Sequence, residues 1–391
     1  MWRCRPFPGL DGGATVAQHV HKGNARTVDN ENNAKGDERF HGSLLEYLIR
    51  QGYQDIATQY VSRETDVSNR YMQPLRIAIQ WGFLVFMLYL GVRLYLFAQH
   101  FRTGGAAPFV SRPDGVDGFL PISGLLGLKD WLAGGAINPV HPAAVVVFVT
   151  VVAVSLLLKR SFCSWICPVG TLSELLWKRG FALFRRNLRP PRWLDVALRG
   201  LKYLLLAFFL YSILWVMPPP AVKAFIFMDD HLIADVKLLN FFLHLSGIPL
   251  VVILVLLVLS LPVRNPFCRY LCPYGALLGL VSLLSPVKVT RERAVCVSCG
   301  VCTQVCPAYI PVMATERVNS EECIGCWRCV SHCRAQGALS MKLTGRRVAV
   351  SGIVFAVLVV VIFVGGSVAG RATGHWKSQI PYAEYVRLLG P

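Results

Sequence analysis

Two stretches near the C-terminal end of the chain repeat one spacing of cysteines. Cys296, Cys299, Cys302 and Cys306 read C-x2-C-x2-C-x3-C, with Pro307 after the last, and Cys323, Cys326, Cys329 and Cys333 repeat the run. Gaps of two residues let three thiolates of one loop face a single metal–sulfur cube. The fourth cysteine, three residues on, falls on a helical turn that points the other way. Zinc sites also use closely spaced cysteines, but as two pairs. Three evenly spaced cysteines before a fourth, twice over, select iron–sulfur clusters over zinc or a disulfide scaffold. Such a chain moves single electrons.

This is the ligand run of a bacterial two-cluster ferredoxin, in which the fourth cysteine of each run ligates the other cluster. Carried onto this sequence, cluster A takes Cys296, Cys299, Cys302 and Cys333. Cluster B takes Cys323, Cys326, Cys329 and Cys306. Both are expected to be 4Fe–4S. One departure is that Arg334, not proline, follows Cys333.

The rest of the chain is unlike a soluble ferredoxin. Of its 391 residues 54% are apolar, and the mean hydropathy is +0.48. Five long uncharged runs account for this: Ile77–Val92, Pro142–Leu158, Tyr203–Val216, Ile248–Val263 and Val348–Ala369. Any one of them could be a buried core helix. Five together read as membrane spans, three of them reaching the ~20 residues a span needs only with their flanks. Residues 1–42 are polar, without the apolar core of a secretory signal, and read as a disordered cytoplasmic tail. Residues 43–70 read as an amphipathic helix, opened by the capping box Ser43-Leu44-Leu45-Glu46. It would lie on the membrane, on a partner, or on the chain's own domain.

Lysine and arginine set the orientation. Residues 159–199 carry Lys159, Arg160, Lys178, Arg179, Arg185, Arg186, Arg189, Arg192 and Arg199. The segment 99–141 carries Arg102, Arg112 and Lys129, and the segment 218–247 only Lys223 and Lys237. Residues 159–199 are therefore expected in the cytoplasm of a bacterial inner-membrane protein, with the N-terminus and the eight-cysteine region also inside and residues 371–391 outside. Reduced thiols fit that side. The formal charge of +18 then reflects the positive-inside bias and contact with anionic lipid, not nucleic-acid binding. Arg291, Arg293, Arg328 and Arg334 lie beside the clusters, where they would raise potentials or attract an acidic redox partner.

A second repeat lies in the membrane part. Phe162-Cys163-Ser164-Trp165-Ile166-Cys167-Pro168-Val169-Gly170 matches Phe267-Cys268-Arg269-Tyr270-Leu271-Cys272-Pro273-Tyr274-Gly275 at an offset of 105 residues. His141 and His244 precede the two copies at nearly the same offset. Duplication of a two-helix unit explains this, with repeat 1 over residues 71–180 and repeat 2 over 181–285. A ferredoxin module over 286–345, a fifth span over 346–370 and an outer tail over 371–391 complete the chain. In a helix, cysteines four apart share a face, and a proline suits the first turn. Cys163, Cys167, Cys268 and Cys272 would then converge at the cytoplasmic surface. They could hold a third iron–sulfur cluster or copper, act as two redox-active thiol pairs, or simply pack as small apolar residues.

The two FCxxxCPxG motifs, the spans before them and the twin cysteine run resemble the membrane polyferredoxin group of NapH, NosR, CcoG and YccM types over about residues 75–370. The resemblance implies electron transfer between a quinone pool, or a cytoplasmic donor, and a respiratory or metal-handling partner protein. An outer flavin domain of the NosR type does not fit this sequence. A fifth span sets it apart from NapH types, and a short end sets it apart from CcoG types. The expected architecture is mainly α: a polytopic membrane helix bundle of about five spans, built on a duplicated two-helix unit, with a small cytoplasmic α+β two-cluster ferredoxin module. The expected function is that of an electron carrier or quinol dehydrogenase subunit rather than a stand-alone enzyme. The competing readings are a copper reductase or metallochaperone in oxidase assembly, and a redox-sensing regulatory subunit. No catalytic triad, phosphate loop or dinucleotide fingerprint stands out. His141 and His244 are candidates for haem or quinone, against the plainer reading of interfacial histidines. Asp229, Asp230 and His231 could take protons from a quinol, or form a solvated loop cluster.

Overall fold

The structure is a computed structural model that describes residues 41–185, 187–344 and 348–390, with side chains from residue 71 onward. Residues 1–40 of the expected tail 1–42 and the apolar face of the 43–70 helix lie outside what is described, while His41 and Gly42 already belong to a helix. The chain divides into two units, Met1–Glu64 and Thr65–Pro391, and the second carries everything discussed here.

Helix α1 (His41–Arg102) opens the chain and contains a candidate span, Tyr71–Arg102. A 3-10 turn (Asp114–Phe119) leads to α2 (Pro121–Gly134) and α3 (Pro142–Leu158). A one-turn helix (Phe162–Trp165) and α4 (Pro168–Phe184) follow. Then come α5 (Arg192–Leu210), its π-helical extension Tyr211–Val216, and α6 (Pro219–Ile226). After these lie α7 (Ala234–Leu243), α8 (Gly247–Leu259), a π-helical turn (Phe267–Leu271) and α9 (Pro273–Ser282). Proline opens α2, α3, α4, α6 and α9. Its fixed φ suits the first helical position, where its missing N–H costs nothing. Lys129 closes the far end of the α5 extension by donating to the carbonyls of Ile213 (2.8 Å), Leu214 (3.1 Å) and Met217, a cation placed where a helix end leaves acceptors free.

The five expected spans are met only in part. Among the described residues three helical stretches are long and apolar enough to cross a membrane: Tyr71–Arg102, Arg192–Val216 and, as α10, Gly352–Ala372. A fourth exists if α7 and α8, bent by 75° at their junction, count as one span. The expected second span is α3, whose 17 residues leave it short of the length of the others. Its role is central instead. Ala144, Phe148, Val151 and Val154 are buried, and α2, α9 and α10 pack round it. Small residues bring these helices close: a Cβ on Gly366 of α10 would stand 2.2 Å from Thr150 Oγ1. By contrast no residue of α8 is buried, as expected of an apolar helix whose outer surface meets lipid.

Strands β1 (Val287–Arg291), β2 (Leu339–Leu343) and β3 (Ala349–Val350) form one antiparallel sheet in that order. The register pairs Val287 with Leu343 and Arg291 with Leu339. Alternation along β1 and β2 buries Val287, Val289, Leu339 and Met341 on one face. All eight C-terminal cysteines fall between β1 and β2. Their segment is not an independent lobe: one hydrophobic cluster runs from Met72, Val151 and Leu278 through Trp165 and Trp327 to Val289 and Met341. The C-terminal helix α11 (Tyr382–Leu389) folds back, with Tyr385 edge-on to Phe97 at 5.0 Å.

Candidate iron–sulfur centres and an apolar groove

The two predicted ligand sets each line a cavity of their own. Cys296, Cys299, Cys302 and Cys333 surround one, floored by Met313, Ala338 and Leu339. Cys306, Cys323, Cys326 and Cys329 surround the other, closed by Val289, Trp327 and Met341. The crossed grouping of the cysteines has a simple local cause. Cys302 lies on the one-turn helix Val301–Gln304 and Cys329 on the one-turn helix Arg328–Ser331, so each run changes direction before its fourth cysteine. Gly300 and Trp327, both left-handed (φ 72° and 60°), make the reversals that start those turns. Burial pushes the Cys306 thiol up to about 12, so only a bound cation keeps it a thiolate at neutral pH. Cys296 is different: backbone N–H groups near Ser298 and the Arg291 guanidinium lower it.

The four membrane-side cysteines also come together, though not as one helix face. Cys163 sits on the turn Phe162–Trp165, but Cys167 is extended (φ −62°, ψ 123°) and caps α4. Cys268 sits on the π-helical turn, and Cys272 is extended (φ −74°, ψ 105°) and caps α9. The helix breaks inside each motif because a residue before proline is driven out of the helical region. Cys272 Sγ accepts from Gly275 N at 3.2 Å. All four line one groove of about 1030 Å³. It passes Phe83, Phe162 and Phe363 and ends among Arg93, Arg112 and Lys377. Burial pushes Cys163 up to about 12 and Cys167 to about 11, against the pull of Arg160 on Cys163. Arg160 is itself buried, with Nε unpaired, and lines both the groove and a smaller pocket with Cys163 and Cys268. An unpaired buried guanidinium N–H beside four cysteines fits an anionic centre there. Among the described residues, no three His, Cys, Asp or Glu side chains gather closely enough to hold one metal ion. The cysteines line cavities instead.

Buried polar contacts clamp the cysteine loops to the helix ends. Trp165 Nε1 donates to the Gly325 carbonyl (3.1 Å) and Ser164 Oγ to that of Ile324 (2.5 Å). Arg264 donates to the carbonyls of Gln304 (2.9 Å) and Cys306 (3.0 Å). Lys202 pairs with Glu322 beside Cys323. None of these contacts carries a motif, so the sequence offered no signal for them beyond lysines and arginines in apolar surroundings.

His141 and His244 do not match their symmetric expectation. His244 is exposed where α7 meets α8. His141 is buried with both nitrogens engaged: Nδ1 with Asp117 (3.1 Å), and Nε2 donating to the His231 carbonyl (2.8 Å). Arg112 joins Asp117 (2.5 Å) to Asp235 (2.9 Å) in the same cluster. His231 is buried as well, not in a solvated loop. Burial lowers it to about 4, while Asp229 pairs with Arg387 and Asp230 with Lys237. Asp117 raises the His141 imidazolium above the ordinary histidine range, against its burial. The protonated pair therefore stabilises the fold fully below about pH 6.5 and loses that contribution as pH rises through the raised value. Thermal unfolding of the wild type is expected to show that decline, and His141→Gln to flatten it.

Comparison with known proteins follows the same division. Residues 140–191 and 244–292 match a family described as a 4Fe-4S binding domain, and residues 288–334 one described as a 4Fe-4S dicluster domain. The first therefore covers both FCxxxCPxG motifs. YccM of Escherichia coli (strain K12), named for electron transport, is 42% identical over 319 residues, which cover 80% of this chain and 89% of YccM. The chain belongs to the membrane polyferredoxin family. The ferredoxin-type protein NapH of Escherichia coli (strain K12) is 29% identical over 45% of the chain and 59% of NapH. The methylamine utilization ferredoxin-type protein MauN of Methylobacillus flagellatus is 29% identical over 47% of the chain and 62% of MauN. No solved structure matches the chain. This polyferredoxin is thus a membrane protein that binds iron–sulfur clusters, with relatives in electron transport.

Proposed function

We propose that the chain carries single electrons between a quinone in the membrane and a redox partner protein at the cytoplasmic face. One observation carries this reading: the cysteine cavities adjoin in a line. The groove shares Arg160, Cys163 and Cys268 with the small pocket, and that pocket shares Pro307, Ala308 and Ile324 with the cavity of Cys306, Cys323, Cys326 and Cys329. Cys302 and Cys306, four residues apart, continue the line to the outermost set. When bound, iron–sulfur clusters supply one-electron storage at potentials tuned by charge and hydrogen bonding. On this reading Cys296, Cys299, Cys302 and Cys333 hold one 4Fe–4S cluster and Cys323, Cys326, Cys329 and Cys306 another. Cys163, Cys167, Cys268 and Cys272 hold a third centre. The protein's part is to keep these sets buried, close and fixed, which the Arg264, Trp165 and Lys202 contacts do. The lysine and arginine bias supports the cytoplasmic side for the eight-cysteine region.

The test is reduction in vesicles. Anaerobically purified protein reconstituted with a reduced quinone is expected to develop 4Fe–4S signals in EPR, with at least about eight irons per chain. Reporter fusions at Arg317 and Gly390 are expected on opposite sides of the membrane. Zinc in place of iron would overturn the cluster reading. Clusters reducible by dithionite but inert to every quinol would leave only the soluble half of the path.

A further inference from the structure

The duplicated motif is symmetric in its four cysteines and asymmetric beside them. At the 105-residue offset Tyr274 stands where the first copy has Val169, and Asn265 where it has Arg160. Val169, Tyr274 and Arg160 line the groove together with the cysteines. At these two positions the first copy brings an apolar side chain and a guanidinium, and the second brings a phenol to the groove.

That phenol is held in place. Tyr274 follows Pro273 at the start of α9. Its ring stacks on Phe148 of α3 (centroids 5.8 Å apart, planes at 29°) and meets Phe162 near edge-on at 6.4 Å. Arg160 Nη1 donates to the carbonyl of the next residue, Gly275, at 3.0 Å, which ties down the backbone carrying the ring. Among the described residues nothing takes up the Tyr274 hydroxyl. Beside Cys163, Cys167 and Cys272, a phenol that makes no other hydrogen bond keeps its O–H for an acceptor. The hydrocarbon tail of a lipid provides none, whereas a quinone ring provides a carbonyl oxygen on an otherwise apolar body.

We infer that Tyr274 is the headgroup anchor of a quinone site at the cysteine end of this groove. Its hydroxyl donates to one ring carbonyl, Phe162 walls the ring slot while Phe148 backs the tyrosine ring, and the isoprenoid tail fills the apolar length toward Phe363. This rests on the reading that the groove takes a quinone. It adds which end holds the head and which residue recognises it. The different side chains of the two copies, Val169 against Tyr274, explain how a pseudo-symmetric groove binds a ligand in one orientation.

The test uses the full chain in nanodiscs, titrated with decylubiquinone and read by quenching of tryptophan fluorescence. Tyr274→Phe keeps the ring and its packing and is expected to weaken binding about five- to tenfold, the loss of one neutral hydrogen bond. Iron content and the dithionite-reduced EPR signals are expected to match the wild type. Tyr274→His, which restores a ring donor, is expected to recover part of the affinity. Equal affinity in the wild type and Tyr274→Phe would overturn the anchor and leave the quinone reading standing. A wild type that does not bind would overturn both.

Discussion

Replacing Cys272 by serine is expected to abolish quinol-driven reduction of the clusters, by at least about a hundredfold, since losing even an outer-shell partner of a metal site costs ~10–100-fold. The eight cysteines between β1 and β2 are expected to keep their full iron. Serine is a fair probe at this position. Cys272 caps α9 through an acceptor to Gly275 N at 3.2 Å, and serine is among the best helix caps, so the helix start survives while the soft ligand is lost. Cys167 holds the same N-cap position before α4, without a side-chain cap bond, and serine suits that position equally. Both positions are extended because proline follows, so neither substitution meets a backbone constraint. The decisive comparison is between donors. Dithionite reaches the eight-cysteine region directly and should reduce both variants normally. Quinol must act through the groove and should fail. A Cys167→Ser/Cys272→Ser double variant with full quinol-driven reduction would leave these cysteines as packing residues only.

What could be read from the sequence divides along a physical line. The eight-cysteine sets were legible because ligand spacing is a local constraint: a cube fixes which residues of a short loop can reach it, and the loop folds to suit. The FCxxxCPxG repeat was legible as a repeat, and its prolines correctly mark helix starts. The assumption of one helix through each motif failed because the same proline forces Cys167 and Cys272 out of helical geometry. Span counting suffered from a different cause. Apolar content reports burial in lipid and burial in protein alike, so it does not decide how α3, 17 residues long and packed by α2, α9 and α10, is used. The bend between α7 and α8 falls at His244–Ser246, where Gly247 (φ 58°) and Pro249 mark a fresh helix start that a count of apolar residues passes over. His141 was found as a candidate by its place in the repeat, but its partners Asp117 and His231 lie 24 and 90 residues away in sequence. The groove was invisible for the same reason, since α1, α2, α3, α4, α9 and α10 all contribute to it and no local pattern marks a cavity.

The largest stability effect is expected at Glu174, a residue that no motif marks. It lies one turn into α4 and accepts both ends of the Arg76 guanidinium, at 2.6 and 2.7 Å. Lys178 (2.5 Å) and Arg328 (3.1 Å) reach the same carboxylate. Those cations hold it well below the usual carboxylate range against its burial. One anion thus compensates three cations. The cluster also ties α1 to the cysteine loops: Arg76 donates to the Ser164 carbonyl (3.0 Å), and Gln73 to that of Cys326 (3.1 Å). Glu174→Gln leaves Arg76, which is wholly buried, without its counter-charge. The expected cost is about 3–5 kcal/mol, the usual penalty for stranding a buried ion. Arg76→Met is expected to cost less, because Glu174 keeps Lys178 and Arg328 and an apolar side chain refills the space. Denaturant unfolding of the two variants in the same detergent measures the difference. The sign with pH follows as well. A carboxylate held low in the folded state stabilises above its ordinary value of ~4.3 and loses that contribution as pH falls below it, so acid should narrow the gap between wild type and Glu174→Gln. If Arg76→Met proves the more damaging of the two, Glu174 is not the hub of this cluster, and the clamp on the cysteine loops runs through Arg76 and its carbonyl contacts instead.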